Sequence, residues 1–413
     1  MVIAVSPERL ARDLDALALL GQDPAGGMTR LALSPADAAA RALVREQMVG
    51  LGMAVSHDEV GNLVGRWGAP RLPSVMSGSH LDSVPRGGRY DGPLGVVGAL
   101  EAVRALREAG FEPSRPLEVV VFTGEEGSRF GRGTIGSAAF SGDVPVADIH
   151  ALRDASGTSF AEALATYGDA GPPLPAARAP GSVAAFVELH IEQGGVLESR
   201  ELEIGAVTTI AGLVQQVVRL EGVANHAGAT PMDLRHDALT GAAAVVLGCE
   251  RLAGELGRGA VATVGKLEVE PGAFNIIPGA AVLGIDSRAP DPEVLDALER
   301  GVRELAERVA AARGLKATVT RRQRVAPGPM DDWIVGAVER ATAATELRSL
   351  RMPSGAIHDA LHMASFCPSG MIFIPSHGGK SHCPDEHSSL RDMVRGVEVL
   401  ARTLAELSEA TSG

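Results

Sequence analysis

Cysteine is scarce. Cys249, Cys367 and Cys383 are the three in 413 residues, with no CxxC or zinc-finger spacing among them. That pattern fits a reduced, cytoplasmic protein. Long apolar runs are missing too: nothing approaches the roughly 20 residues that span a bilayer, so no membrane partner is expected. Residues 1–6 have no basic region ahead of their short apolar run, which argues against a signal peptide. Positive charge is in deficit, with 38 Lys plus Arg against 51 Asp plus Glu and a formal net charge of −13. Nucleic acid is not an expected partner, because its phosphates need a basic face. Internal repeats are absent, and the Pro-, Gly- and Ala-rich stretch 168–181 reads as a surface loop.

What is present is ordinary for a soluble globular chain: 45% hydrophobic and 22% charged residues. The length suggests two or three domains. Ser6-Pro7 and Ser34-Pro35-Asp37 are helix starts, each a capping serine followed by proline at the first helical position. Short apolar runs at 74–77, 117–123 and 184–189 read as buried strands separated by helical stretches such as 94–109. Strands alternating with helices indicate an α/β domain with a mostly parallel sheet, whose ligands sit beyond the strand carboxyl ends. From 209 to 325 the order becomes β-α-β-β-α-β, a small ferredoxin-like α+β domain. The other reading of that segment continues the first sheet. Residues 326–413 resume the α/β pattern, so domain one is discontinuous, 1–208 and 326–413, around an insert at 209–325.

Four motifs carry chemistry. Gly78-Ser79-His80-Leu81-Asp82 ends a strand, and Gly87-Gly88-Arg89-Tyr90-Asp91-Gly92 follows in a glycine-rich turn. His80 and Asp82 stand two apart and face one side, so Asp82 is placed to accept the other ring N–H of His80. Glu125-Glu126 sits at another strand end, where two adjacent carboxylates need neutralising; one can ligate a cation while its neighbour stays free as a base. Glu188-Leu189-His190 and Ser381-His382-Cys383-Pro384 complete the set. Each alone also fits a solvated loop or a packed histidine. Together His80, Asp91, Glu126, His190 and His382 form a donor set suited to a pair of Zn or Mn ions.

These blocks resemble the amidohydrolase branch of the M20 metallopeptidase clan, which holds N-carbamoyl-L-amino acid amidohydrolases, β-ureidopropionases and allantoate amidohydrolases. The resemblance runs from about residue 23 to 407. It implies Asp91 bridging two divalent ions (Zn, Mn, Co or Ni), with His80 and His190 on one and Glu126 and His382 on the other. It implies Glu125 as general base and Asp82 as the residue orienting His80. The insert resembles a lid and dimerisation domain, implying a homodimer in which His226 of Asn225-His226-Ala227-Gly228-Ala229 polarises the substrate carbonyl of the neighbouring subunit. Asn275, Arg288, Gln193 and Gly355 fall on its substrate-binding segments, and Arg288 would pair with a substrate carboxylate. Two departures stand out: Ala229 where threonine is frequent, and Ile357 where glycine is usual before His358-Asp359. Ile210-Ala211-Gly212-Leu213 and Asp91-Gly92-Pro93-Leu94-Gly95-Val96 lean toward N-carbamoyl-L-amino acids, hydrolysed to amino acid, CO2 and ammonia. Allantoate or β-ureidopropionate hydrolysis is the alternative, and a peptidase or an inactive metal-binding scaffold is the third reading.

Overall fold

Serine before proline starts both N-terminal helices. In Pro7–Ala18 the Ser6 side chain accepts from the Arg9 N–H, and in Pro35–Gly50 Ser34 accepts from Asp37. Each satisfies one of the orphan donors of a helix start. Leu10, Leu14 and Leu17 are buried along one face, as their spacing predicts. The computed structural model describes residues 3–69, 73–166 and 173–410. Residues 168–172 of the expected surface loop lie outside the described residues. Among the described residues no helix is long and apolar enough to cross a membrane.

The chain divides into two compact units. One comprises Met1–Thr208, Pro329–Met352 and His358–Gly413; the other comprises Thr209–Gly328 and Pro353–Ile357. The sheet of the first unit runs Ala54–His57, Leu63–Trp67, Leu117–Phe122, Ser74–His80, Val183–Ile191, Ser369–Ile374 and Ile204–Ile210. The four strands from Leu117–Phe122 to Ser369–Ile374 are parallel neighbours, with His80 opposite Phe122 and Phe373 opposite His190. The flanking pairs are antiparallel. The central strands are buried almost throughout, which is why they read as continuous apolar runs rather than as alternation. Helices Pro93–Glu108 and Leu390–Glu409 pack on each other and on this sheet. Parallel alignment brings the carboxyl ends of all four strands to one edge, where a site can form.

The second unit is the β-α-β-β-α-β sandwich expected from the sequence. Its antiparallel sheet is ordered Lys316–Val325, Gly212–Glu221, Ala280–Ala289, Val261–Glu270. Helices Ala238–Leu256 and Pro292–Arg313 bury Val245, Cys249, Val302 and Ala306 against Val218, Leu220, Leu283 and Ile285. The first of these helices starts at Ala238. Asp237 caps it, accepting from the Leu239 and Thr240 N–H groups.

Candidate metal centre

The strand ends and two loops deliver the candidate ligands of the first unit. His80 closes Ser74–His80, His190 is next to last in Val183–Ile191, and Glu125-Glu126 follows Leu117–Phe122. Asp91 precedes helix Pro93–Glu108, and His382 lies on the loop beyond Ser369–Ile374. Two main-chain carbonyls fix the buried imidazoles. His80 Nδ1–H donates to Asp82 O at 2.9 Å and His190 Nδ1–H to Ile191 O at 2.9 Å. Carbonyls only accept, so both rings turn Nε2 toward the cluster.

Asp91 lies between two sets of histidines. Its Oδ1 is 3.2 Å from His190 Nε2 and 3.7 Å from His80 Nε2, while its Oδ2 is 3.3 Å from His382 Nε2. His382 Nε2 is also 3.6 Å from Glu126 Oε2. Glu125 Oε2 stands 3.8 Å from His80 Nε2, on the same side. Gly92 keeps this turn close: a Cβ there would come within 2.4 Å of the His80 ring.

A divalent cation fits these donors. His190 Nε2 is buried with no hydrogen-bond partner, yet it faces a carboxylate oxygen. Such a group in a dry interior calls for a proton or a metal ion. His80, Asp91 and His190 form one group whose ligand atoms lie within 4.8 Å of one another, and Asp91, Glu126 and His382 form another. The ligand atoms of Glu188, His190 and His358 also lie within 4.8 Å of one another. That third group is poorer, since Glu188 already accepts from Ser79 Oγ at 2.7 Å and from the Ala360 N–H at 3.0 Å. Imidazole and carboxylate donors without thiolate suit a divalent ion of borderline or hard character.

The electrostatics make the same demand. Burial alone would lower the affinity of His80 for a proton, but Glu125, Asp91 and Asp82 outweigh it and hold the imidazole well above its ordinary range. His190 is raised against burial by Asp91 and Glu188. Burial would raise the Asp91 carboxyl, but His190, His382 and His80 bring it well below the carboxylate range. Burial, then Asp91, pushes Glu126 up to about 7, and burial with Glu126, Asp359 and Asp82 pushes Glu125 well up. A cluster that gathers protons in this way is one in which positive charge is missing.

Asp82 serves the site differently from the sequence expectation. The ring N–H of His80 goes to the Asp82 main-chain carbonyl, with the carboxylate 3.7 Å away. The carboxylate accepts instead from the Glu125 and Glu126 N–H groups at 3.1 and 3.2 Å, and so holds the turn that presents both glutamates. The Gly26-Gly27-Met28-Thr29-Arg30 run also has a structural task. Buried Arg30 donates to Leu81 O at 2.6 Å, between His80 and Asp82, and to Leu17 O at 2.7 Å.

Gln193, at a left-handed φ of 60°, donates from Nε2 to Asp91 Oδ2 at 2.6 Å. Three acidic groups had no role in the sequence reading. Glu188 ties strand Ser74–His80 to helix Ala360–Phe366 through the contacts above. Asp359 accepts from Ser137 Oγ at 2.6 Å and is pushed to about 8 by burial and by Glu188. Glu386 accepts from the Tyr90 and Asp91 N–H groups at 2.9 and 3.1 Å.

The second unit holds the remaining candidates together. His226 is exposed, and its Nδ1 accepts from the Gly228 and Ala229 N–H groups at 3.0 and 3.1 Å. The neutral ring therefore has its proton on Nε2, which is a hydrogen-bond donor. The Ala227 N–H donates to Asn275 O at 2.9 Å, so the His226 and Asn275 loops lie side by side. Arg288 donates from Nε to Asp286 Oδ1 at 2.8 Å and from Nη1 to Gly355 O at 2.9 Å, with Nη2 at 3.5 Å from Asp286 Oδ2.

The family model described as peptidase family M20/M25/M40 matches residues 76–406. An N-carbamoyl-L-amino acid amidohydrolase of Geobacillus stearothermophilus is 42% identical over 98% of this chain and 99% of its own. A ureidoglycolate hydrolase of Arabidopsis thaliana is 40% identical over 98% of this chain and 87% of its own. A crystal structure of a hydantoinase/carbamoylase family amidase from Burkholderia multivorans superposes with a TM-score of 0.95, at 36% identity, over 98% of both chains.

Proposed function

The chain belongs to peptidase family M20/M25/M40, in its hydantoinase/carbamoylase branch, and we propose that it is a two-metal amidohydrolase that removes the carbamoyl group from N-carbamoyl-L-amino acids. The bond attacked is a C–N bond of a linear amide. The observation that carries the two-metal reading is the division of Asp91, with Oδ1 turned to His80 and His190 and Oδ2 to His382 beside Glu126. His80, Asp91 and His190 would hold one ion, and Asp91, Glu126 and His382 the other. The ions, Zn, Mn, Co or Ni, would polarise the carbamoyl carbonyl and acidify a water when bound.

The protein's own groups do the rest. Glu125 removes the proton of the attacking water at its carboxylate and returns it to the leaving nitrogen. Its crowded, buried setting gives that carboxylate a high proton affinity, which suits a group that must hold a proton between the two steps. Asp82 keeps Glu125 in place through the turn N–H bonds. His226 offers Nε2–H to the developing oxyanion. Arg288 commits three of its five N–H groups to Asp286 and Gly355, leaving one on each terminal nitrogen for the substrate carboxylate. Asn275 and Gln193 would bind the ureido group. The products are the amino acid, CO2 and ammonia.

His226 acts in the neighbouring subunit of a homodimer formed through the lid. Strand Val261–Glu270 supports that assembly: it is an edge of the lid sheet, with Val261 and Leu267 exposed, and an open edge is a template for pairing. Mixing inactive His226→Ala protein with inactive Glu125→Gln protein will restore partial activity, since one hybrid site has both residues intact. No recovery despite demonstrated subunit exchange would remove the shared site.

The substrate class is tested by ammonia release from N-carbamoyl-L-amino acids, allantoate and a carboxylate-free N-carbamoyl amine, with each metal in turn. Arg288→Ala is expected to cost about 2–5 kcal/mol in kcat/KM for the acid, as when a buried charge loses its partner. The amine should be a poor substrate and nearly indifferent to the change. Equal losses on both would make Arg288 structural and undo the amino-acid assignment.

A further inference from the structure

Glu386 stands four residues beyond His382, with no part in the chemistry proposed above, yet it is buried where the Asp91 turn meets the His382 loop. Its Oε1 takes the N–H groups of both Tyr90 and Asp91, at 2.9 and 3.1 Å, across nearly 300 residues of sequence. Its Oε2 is 2.8 Å from Ser381 Oγ, and the same hydroxyl is 2.8 Å from Asp91 Oδ2. The Glu386 N–H donates to Cys383 O at 3.1 Å, which ties Glu386 to the turn that carries His382. Space for this contact is built into the partner loop: a Cβ on Gly88 would lie 1.9 Å from the Glu386 carboxyl carbon.

We propose that Glu386, acting with Ser381, is a positioning residue that fixes the separation of Asp91 Oδ2 from His382 and thereby sets metal retention in the more exposed of the two positions. The inference rests on reading these residues as ligands. His382 needs such help, because its side chain is half exposed and its backbone lies at a φ of 56°, unlike the strand-borne His80 and His190. Glu386 touches neither substrate nor the reacting atoms. Its effect passes through the main chain and one oxygen of Asp91.

The test compares the full-length wild type with Glu386→Ala, Glu386→Gln and Ser381→Ala. Bound metal is counted over a series of buffered free Mn²⁺ or Zn²⁺ concentrations without substrate. Glu386→Ala should weaken one equivalent by about 10–100-fold, the usual cost of losing a partner behind a ligand, and leave the other nearly unchanged. Glu386→Gln keeps an oxygen for the Tyr90 and Asp91 N–H groups, so it should recover most of the affinity. Excess metal should restore kcat in Glu386→Ala with KM unaltered, which a general loss of folding would not do. If Glu386→Ala fails to fold, Ser381→Ala decides, with the same single equivalent weakened. Equal weakening of both equivalents, or no change in a folded variant, would overturn the proposal. A wild type that binds two equivalents but releases no ammonia would count against the substrate class alone, whereas one binding fewer than two would remove the premise.

Discussion

The two candidate ligand groups share Asp91 but are held by different means. His80 and His190 sit at the ends of central strands, buried on both faces of the sheet, with side chains 1% exposed and each Nδ1–H on a main-chain carbonyl. Glu126 and His382 come from a turn and a loop, and His382 is 50% exposed. Strand ends place a ligand by the same hydrogen bonds that build the sheet. A loop must be tied down by side chains, here Asp82 behind the glutamates and Glu386 behind Asp91. One group is rigid through the fold, and the other through a few replaceable contacts. The first should retain its ion more firmly and exchange it more slowly.

The largest expected effect separates chemistry from both groups. Glu125→Gln preserves shape and the N–H bond to Asp82 but removes the proposed base. Metal content should stay at the wild-type level while kcat falls about 10²–10⁴-fold. Loss of metal in this variant would make Glu125 a ligand and erase the distinction between the two groups as drawn. A smaller effect probes the groups themselves. His382→Ala should weaken one metal equivalent by more than about a hundredfold, beyond what losing an outer partner costs, and leave the buried equivalent in place. His190→Ala should do the reverse. If His382→Ala empties both positions together, the two are not independent and the contrast between strand and loop has no energetic meaning.

Sequence reasoning reached the rigid group more fully than the other. Apolar runs that stop shortly before His80, at Thr123 before Glu125, and just before His190 announce buried strand ends, and the parallel sheet follows from their alternation with helices. The outer strands Ala54–His57, Leu63–Trp67 and Ile204–Ile210, which flank the parallel core in antiparallel pairs, are not announced by the sequence, being short segments with little period of their own. Glu386 shows the limit most clearly. Asp385 and Glu386 are adjacent acids with no local difference, yet Asp385 is solvated and paired with Lys380 while Glu386 is buried against residues nearly 300 positions away. Only the fold distinguishes them. The division of Asp91 between two sets of histidines is likewise invisible in one dimension, because a residue type does not say which oxygen faces which partner. For Asp82 the sequence points to the loop but not to the bond, since the carbonyl and the carboxylate of one residue compete for the same ring N–H and here the carbonyl takes it.

The smallest expected effect is also the one most specific to the open group. His382 is raised to about 9, chiefly by its hydrogen bond with Asp91 and then by the charges of Glu126 and Asp91, against the opposing pull of burial. Glu126 is raised to about 7, by burial first and by Asp91 second. Both must be deprotonated to ligate, so a metal ion entering this position competes with protons. Raised values mean that the competition persists at neutral pH, and affinity must therefore rise, not fall, as pH increases. Between pH 7 and 9 the proton displaced is that of His382, and the affinity of the open position should rise about tenfold per unit. Below pH 7 the proton of Glu126 is displaced as well, and the dependence should steepen. Above pH 9 neither group has a proton to lose and the curve should flatten. Calorimetry of Mn²⁺ binding in buffers of different ionisation enthalpy counts the protons released. In His382→Ala the slope between pH 7 and 9 should vanish at whatever affinity remains. A slope that survives the substitution would assign the proton to another residue, and the open group would then need a different third ligand.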